Sequence, residues 1–272
     1  MKVGLSFDIE DFGLDENEVL QSGTVPPSQK FYHEVVAFLQ FLWVKEIKCT
    51  LFFVGTMVQH IPQLIQLAHE DGHEIGIHGF RHQKIDANTI KDVEDNLEQA
   101  VRIIENITSK PVLGFRAPFF SVSGDQQANL LRILNDLGFI YNASNLSSVN
   151  QRPFVVNTEQ GLYDIPISNY KIFNHSVILG GGYFRMLPYA IFKLLLRRCL
   201  SKSGVATVYF HNYELFRQQI PTSLFVNHRW VMTLRIWLIA KTSGPLIKRK
   251  FERLLGDFDF VPFEKLLPQA TV

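Results

Sequence analysis

The chain has 272 residues, 46% of them hydrophobic and 19% charged, with a formal net charge of +1. That length buries a large core and suits one α/β barrel or two smaller domains. Near-neutral charge excludes a global field that would recruit nucleic acid or an anionic substrate, and two cysteines inside apolar runs, Cys49 and Cys199, argue against a disulfide framework and fit a reducing compartment.

In chain order, "KVGLSFDI" (2–9) is predicted as a buried strand ending in carboxylates. "SQKFYHEVVAFLQFLWVKE" (28–46) has helical periodicity, and "KCTLFFVG" (48–55) is a continuous apolar run, as expected for a strand covered on both faces. "IPQLIQLAHEDG" (61–72) is a helix with Pro near its start and Gly past its end. "HEIGIHG" (73–79) is a third strand, and 86–109 a long amphipathic helix with Asp86 or Asn88 as its cap. Strand 111–118, helix 125–138, strand 139–144 and strand 205–215 follow. Strands alternating with helices mean parallel βαβ units. "RMLPYAIFKLLLRRCL" (185–200) and "RWVMTLRIWLIAKTSG" (229–244) read as amphipathic helices that pack on the core or touch a membrane surface. No window reaches the roughly 18 consecutive apolar residues of a membrane span, and the opening "MKVGLSFDIEDF" lacks the apolar core of a secretory signal.

Polar residues fall in one place. "FDIED", "GIHGFRH", "GFRAPFF" and "VYFHNYE" each put titratable side chains at the end of an apolar strand. In a β/α barrel all such ends meet at one face, where sites are built. His78 and His82, four apart, supply two imidazoles; with a carboxylate they form a three-ligand set for Zn²⁺ or a similar divalent ion, leaving a position open. Asp8 and Glu10 share a strand face, about 6.6 Å apart, with Asp11 beyond. One of these carboxylates can bind metal while another acts as general base. Arg116 suits holding the base ionised, and His211 suits protonating a leaving group.

"SFDIED", "HGFRH", "GFRAPFF" and "YFHNYE", in this order and spacing, resemble the polysaccharide deacetylases of carbohydrate esterase family four, the nodulation-type group. "GGGYFRMLPY" (180–189), "YFHNYEL" and "RLLGDFDFVPFEKLL" (253–267) are similar to segments of its exosortase-associated branch. The resemblance implies a distorted (β/α)7 TIM-like barrel. We therefore expect a single domain over 1–272, with a core over about 1–216 and a C-terminal helical extension over about 217–272. It also implies a divalent cofactor, usually zinc, and a hydrolase that removes N-acetyl groups from a hexosamine polymer. Asp8 matches the catalytic base, Arg116 the arginine that positions it, and His211 the general acid. His78 and His82 match the metal histidines, with Glu10 as the metal carboxylate and Asp11 as its alternative.

Phe119, Phe120, Tyr183 and Phe184 are candidates for stacking on sugar rings. One departure stands out: where relatives often carry an Asp supporting the acid histidine, this chain has Asn142, so another acid such as Glu214 is a candidate substitute. The expected partner is an N-acetylated glycan, polymeric or lipid-linked, met on the cytoplasmic side, with peripheral membrane contact through the amphipathic segments. The alternatives are a small-amide hydrolase on the same barrel and a catalytically silent carbohydrate-binding protein. The sequence leaves the oligomeric state open.

Overall fold

The computed structural model describes residues 2–11, 27–120, 122, 124–148, 156–157, 161–172, 175–215 and 245–268. Five parallel strands open the architecture: β1 (Lys2–Ile9), β2 (Thr50–Phe53), β3 (Glu74–Ile77), β4 (Gly114–Phe115) and β5 (Tyr141–Asn142). Helices α1 (Gln29–Val44), α2 (Gly55–Val58), α3 (Pro62–Glu70), α4 (Val93–Thr108) and α5 (Gln127–Asp136) connect them. Beyond β5 the chain forms β6 (Leu146–Ser148), β7 (Val156–Asn157), β8 (Tyr163–Asp164), β9 (Ile167–Ile172) and β10 (His175–Ile178). Then come α6 (Gly181–Met186), α7 (Tyr189–Ser203), β11 (Val205–His211), α8 (Asn212–Leu215), α9 (Pro245–Asp257) and β12 (Asp259–Val261).

The main sheet runs β11-β1-β2-β3-β4-β5-β8-β7, with β12 also on β1. A second sheet, β10-β9-β6, completes the ring. β6 follows β5 after Ala143–Asn145 and pairs parallel with β9. β9 meets β11 through reciprocal side-chain bonds: the Ser168 N–H donates to Thr207 Oγ1 (3.0 Å) and the Thr207 N–H to Ser168 Oγ (2.9 Å). Counting β5 and β6 as one bent position, seven strand positions surround the lumen, which is the distorted barrel expected. The strand–helix alternation lapses after β5, where hairpin strands replace helices.

Side-chain parity builds two apolar layers. In β1, Val3, Leu5, Phe7 and Ile9 face the helices, packing with Phe31, Val35 and Phe38 of α1. Gly4, Ser6 and Asp8 therefore face the lumen. The same alternation puts Thr50 and Phe52 of β2, Glu74 and Gly76 of β3, and Tyr141 of β5 inside. Large lumen side chains sit against small ones: a Cβ at Gly76 would overlap the Phe52 ring, and one at Gly114 would overlap Tyr141. Phe52, Tyr141, Ile165, Ile167 and Phe263 form this inner cluster.

Several expected boundaries move. The helix over 86–109 begins only at Val93, after a 3₁₀ turn at Ile90–Asp92. Neither Asp86 nor Asn88 caps it: the Asp86 carboxylate accepts the N–H groups of Asn88 and Thr89 in a preceding turn. The strands over 111–118 and 139–144 shrink to two residues each. The stretch 205–215 divides into β11 and α8. Helix α7 packs on the core through Phe192, Leu195, Leu196, Cys199 and Leu200. Segment 229–244 lies outside the described residues. Among the described residues no helix is long and apolar enough to cross a membrane. Cys49 and Cys199 are buried free thiols.

Candidate active site

Parity that fills the lumen also aims its upper side chains. Asp8, the penultimate residue of β1, stands opposite His211, its register partner on β11. His78 stands one residue past β3 and Arg116 one past β4, both on the lumen face of their strands. All of these except His211 are essentially buried. Glu10, two residues beyond Asp8, reaches the same mouth, and Asn212 Oδ1 accepts its backbone N–H (3.0 Å).

Glu10 is the hub. Its Oε1 lies 3.1 Å from His78 Nε2, 3.0 Å from His82 Nε2 and 3.7 Å from His211 Nε2. Asp8 Oδ2 is 3.9 Å from His78 Nε2, while Asp8 Oδ1 accepts from Arg116 Nη1 at 2.5 Å. Arg116 is wholly buried, its guanidinium 4.2 Å from the Phe52 ring centroid and 5.5 Å from that of Phe120. Asp11 does not join the group: its Oδ2 accepts the Ser28 N–H (2.9 Å) at the start of α1. The loop carrying the two histidines is pinned by the start of α2, where the Gly55 and Thr56 N–H groups donate to Gly79 O and Phe80 O.

One ligand atom from each of Glu10, His78 and His82 lies within 4.8 Å of the others. His78 shows why this set fits a cation. Its Nδ1 is 3.1 Å from Arg116 O, and a carbonyl only accepts, so Nδ1 carries the proton. In the neutral ring Nε2 then turns a lone pair toward the Glu10 carboxylate. Two lone-pair atoms at that distance repel unless a proton or a cation stands between them. Two imidazole nitrogens and one carboxylate oxygen, with the second ring nitrogen tied to a carbonyl, are the donors and the outer support that Zn²⁺ takes.

Charge is concentrated here. Burial works against the Glu10 carboxylate, yet the charges of His82 and His211 and the close approach of the His78 and His82 rings hold its pKa well below the usual value. Burial likewise opposes a charged His82, but Glu10 raises its pKa. His211 pays the same desolvation, and Glu10, Glu214 and Asp8 outweigh it, pushing its pKa up to about 9.

The aromatic candidates separate. Phe119 stands at the lip, 48% exposed, its ring 4.7 Å from that of His82. Phe119, Phe120 and His82 all have positive φ (57°, 51° and 30°), a conformation that side chains resist and that concentrates at functional sites. Phe120 turns inward against Tyr209 (4.8 Å). Tyr183 donates its hydroxyl to Ser176 O, engaging β10 rather than the cluster. Phe184 is fully buried among Phe192, Phe210 and Phe251, which removes it as a sugar contact. The Asn142 side chain accepts from the Ser144 N–H and hydroxyl, which parity explains: Tyr141 points into the lumen, so Asn142 points out of it. Glu214 is the carboxylate at His211, with Oε1 3.5 Å from Nδ1. Arg185, Tyr209, Tyr213 and Asn212 escaped the sequence reading. For Arg185 the available signal was its spacing of four from Gly181 on one helical turn.

Residues 26–141 match the model of the family Polysaccharide deacetylase, and residues 140–268 match a second, Domain of unknown function (DUF3473). Over residues 26–141 the chain is thus similar to the polysaccharide deacetylases. The peptidoglycan deacetylase of Helicobacter pylori is 31% identical over 86 residues, 32% of this chain and 29% of that protein. The chitooligosaccharide deacetylase of Azorhizobium caulinodans is 29% identical over 90 residues, 33% of this chain and 41% of that protein. The matches thus span less than half the length of these two curated relatives. A crystal structure from Mycobacterium smegmatis, described as that of a polysaccharide deacetylase, aligns with TM-score 0.55 at 15% identity over 96% of this chain and 92% of that one, a likeness of fold.

Proposed function

We propose that this polysaccharide deacetylase relative is a divalent-metal-dependent N-deacetylase of a hexosamine-containing glycan. The glycan is either a polymer or a lipid-linked oligosaccharide in surface polysaccharide production, as the similarity to the exosortase-associated branch implies. The observation that carries the reading is Glu10, His78 and His82 converging beside the buried Asp8–Arg116 pair and His211. Glu10, His78 and His82 would hold the ion, and zinc suits the donor set. When bound, a divalent cation polarises the acyl carbonyl toward attack.

The remaining chemistry belongs to the side chains. Asp8, oriented by the hydrogen bond from Arg116 Nη1, takes the proton of the attacking water. His211, at the mouth of the barrel with Glu214 beside its ring, is placed to give a proton to the departing sugar amine. Phe119 offers an exposed face to a sugar ring beside His82. The products are acetate and a free amino sugar.

Metal content and acetate release from N-acetylglucosamine oligomers test this together. Wild type is expected to bind about one zinc per chain and release acetate. His78→Ala and His82→Ala lose both, whereas Asp8→Asn keeps the metal and loses acetate release. No metal in zinc-supplemented wild type would sink the reading.

A further inference from the structure

The segment "GGGYFRMLPY" has no part in the chemistry above, yet it abuts the acid. Glu214 is buried on α8: its Oε2 accepts the His211 backbone N–H (3.0 Å), and its Oε1 lies 3.5 Å from the ring Nδ1, a buried nitrogen that makes no hydrogen bond in this geometry. Tyr213 stacks on the same ring, centroids 4.9 Å apart and planes 18° apart. Behind Glu214, Arg185 Nη2 is 3.1 Å from Oε1. Gly181 and Arg185 are four apart on α6 and so share a face. A Cβ at Gly181 would overlap the Glu214 carboxylate, so only glycine lets the helix approach.

We propose that Glu214 and Arg185 are positioning residues that fix the His211 ring for proton delivery, with Gly181 making room for the pair. The inference rests on His211 being the acid. A carboxylate reaching Nδ1 selects the ring orientation and tautomer that leave Nε2 facing the mouth of the barrel, and Arg185 holds that carboxylate ionised and in place. All three residues come from the half of the chain that matches the domain of unknown function. In this chain that half would therefore supply the acid together with its support. It would also explain how a barrel with Asn142 pointing out of its lumen orients a catalytic histidine.

The test exploits leaving groups. An amide needs its amine protonated as it departs; an activated acetyl ester, 4-nitrophenyl acetate, does not. Using the metal-loaded full chain, Glu214→Gln is expected to lower kcat on N-acetylglucosamine oligomers by about 10–10²-fold, the range typical of outer partners that orient a ring. KM, metal content and the rate on the ester should be nearly unchanged. Arg185→Met should fall the same way, with partial recovery in Arg185→Lys, and the double variant should be no worse than Glu214→Gln alone. Gly181→Ala, which removes no charged group but displaces the Glu214 carboxylate, should reproduce the selective loss. Full amide activity in Glu214→Gln would overturn the inference, as would an equal loss on amide and ester. Wild type that hydrolyses neither substrate would instead overturn the deacetylase reading itself.

Discussion

At the scale of single residues, the site is held by one buried ion pair. Arg116 and Asp8 are both essentially inaccessible, joined at 2.5 Å, with the guanidinium face covered by Phe52. Such a pair adds little net stability while intact, but removing one partner strands a charge in an apolar lumen. Arg116→Met is therefore expected to cost about 3–5 kcal/mol. The double variant Asp8→Asn/Arg116→Met should recover much of that loss, since no uncompensated charge remains. Denaturant unfolding of the metal-free proteins checks this; a double variant no more stable than Arg116→Met would contradict it. Asp8, Glu10, His78, His82, Arg116 and His211 were legible because strand period and strand ends aim them at one point. Parity likewise made it legible that Glu10, and not Asp11, would face this cluster. Arg185 and Asn212 were not legible, because their roles depend on how α6 and α8 dock, which no local period encodes.

At the scale of elements, the floor of the barrel is made by the far end of the chain. β12 pairs with Lys2–Gly4 of β1 on the side where β2 takes only Ser6–Ile9, so the C-terminal strand fills the place beneath β2. The turn after it then enters the lumen. The Phe263 N–H donates to Thr50 Oγ1 (2.7 Å) and the Glu264 N–H to Glu74 Oε2 (3.0 Å), while the Phe263 ring centroid lies 5.5 Å from the Arg116 guanidinium. Glu74 also accepts from Thr50 Oγ1 and Tyr141 OH. Burial pushes its pKa up to about 7, against the pull of these donors and with Glu264 adding to the rise. Between the ordinary carboxyl pKa and about 7, the folded state thus holds a proton that the unfolded state has released. Stability from this group is full at low pH, declines as pH rises through that window, and is lost above it, a change on the order of 3 kcal/mol. Glu74→Gln should flatten this part of the stability–pH curve, so that wild type minus variant falls between about pH 5 and pH 7. An invariant difference would mean that the three donors keep Glu74 ionised throughout. The strands and main helices around this floor were legible from period and apolar runs, whereas the plug was not. "DFDFVPFEKLL" has strand character, but only the parity of β1, β2 and β3 shows that a space under β2 exists.

At the scale of the whole molecule, the two family matches meet at residues 140–141, at the first residue of β5 and inside the continuous sheet. Two matches end to end suggest units joined in series, but the ladders cross that boundary repeatedly, as the single domain expected from the sequence requires. β11, from the second half, pairs with β1 at seven successive positions from Lys2↔Val205 to Asp8↔His211, and β12 pairs beside it. Without them β1 has one neighbour, its lumen face has no Phe263, and the Asp8–Arg116 pair opens to water. Each half also lacks part of the proposed site: the first carries Asp8, Glu10, His78, His82 and Arg116, and the second carries His211, Glu214 and Arg185. Closure was not legible because Ser168 and Thr207 bridge β9 and β11 by side chains, with no strand pattern to announce it. Residues 1–140 produced alone should therefore show no cooperative unfolding transition, because burial falls below what a half-open sheet needs to offset its chain entropy. Mixing them with residues 141–272 should restore a transition and zinc binding only if the two halves assemble. A sharp, reversible transition in 1–140 alone would show that the first half is an independent folding unit and that the second is an addition to it.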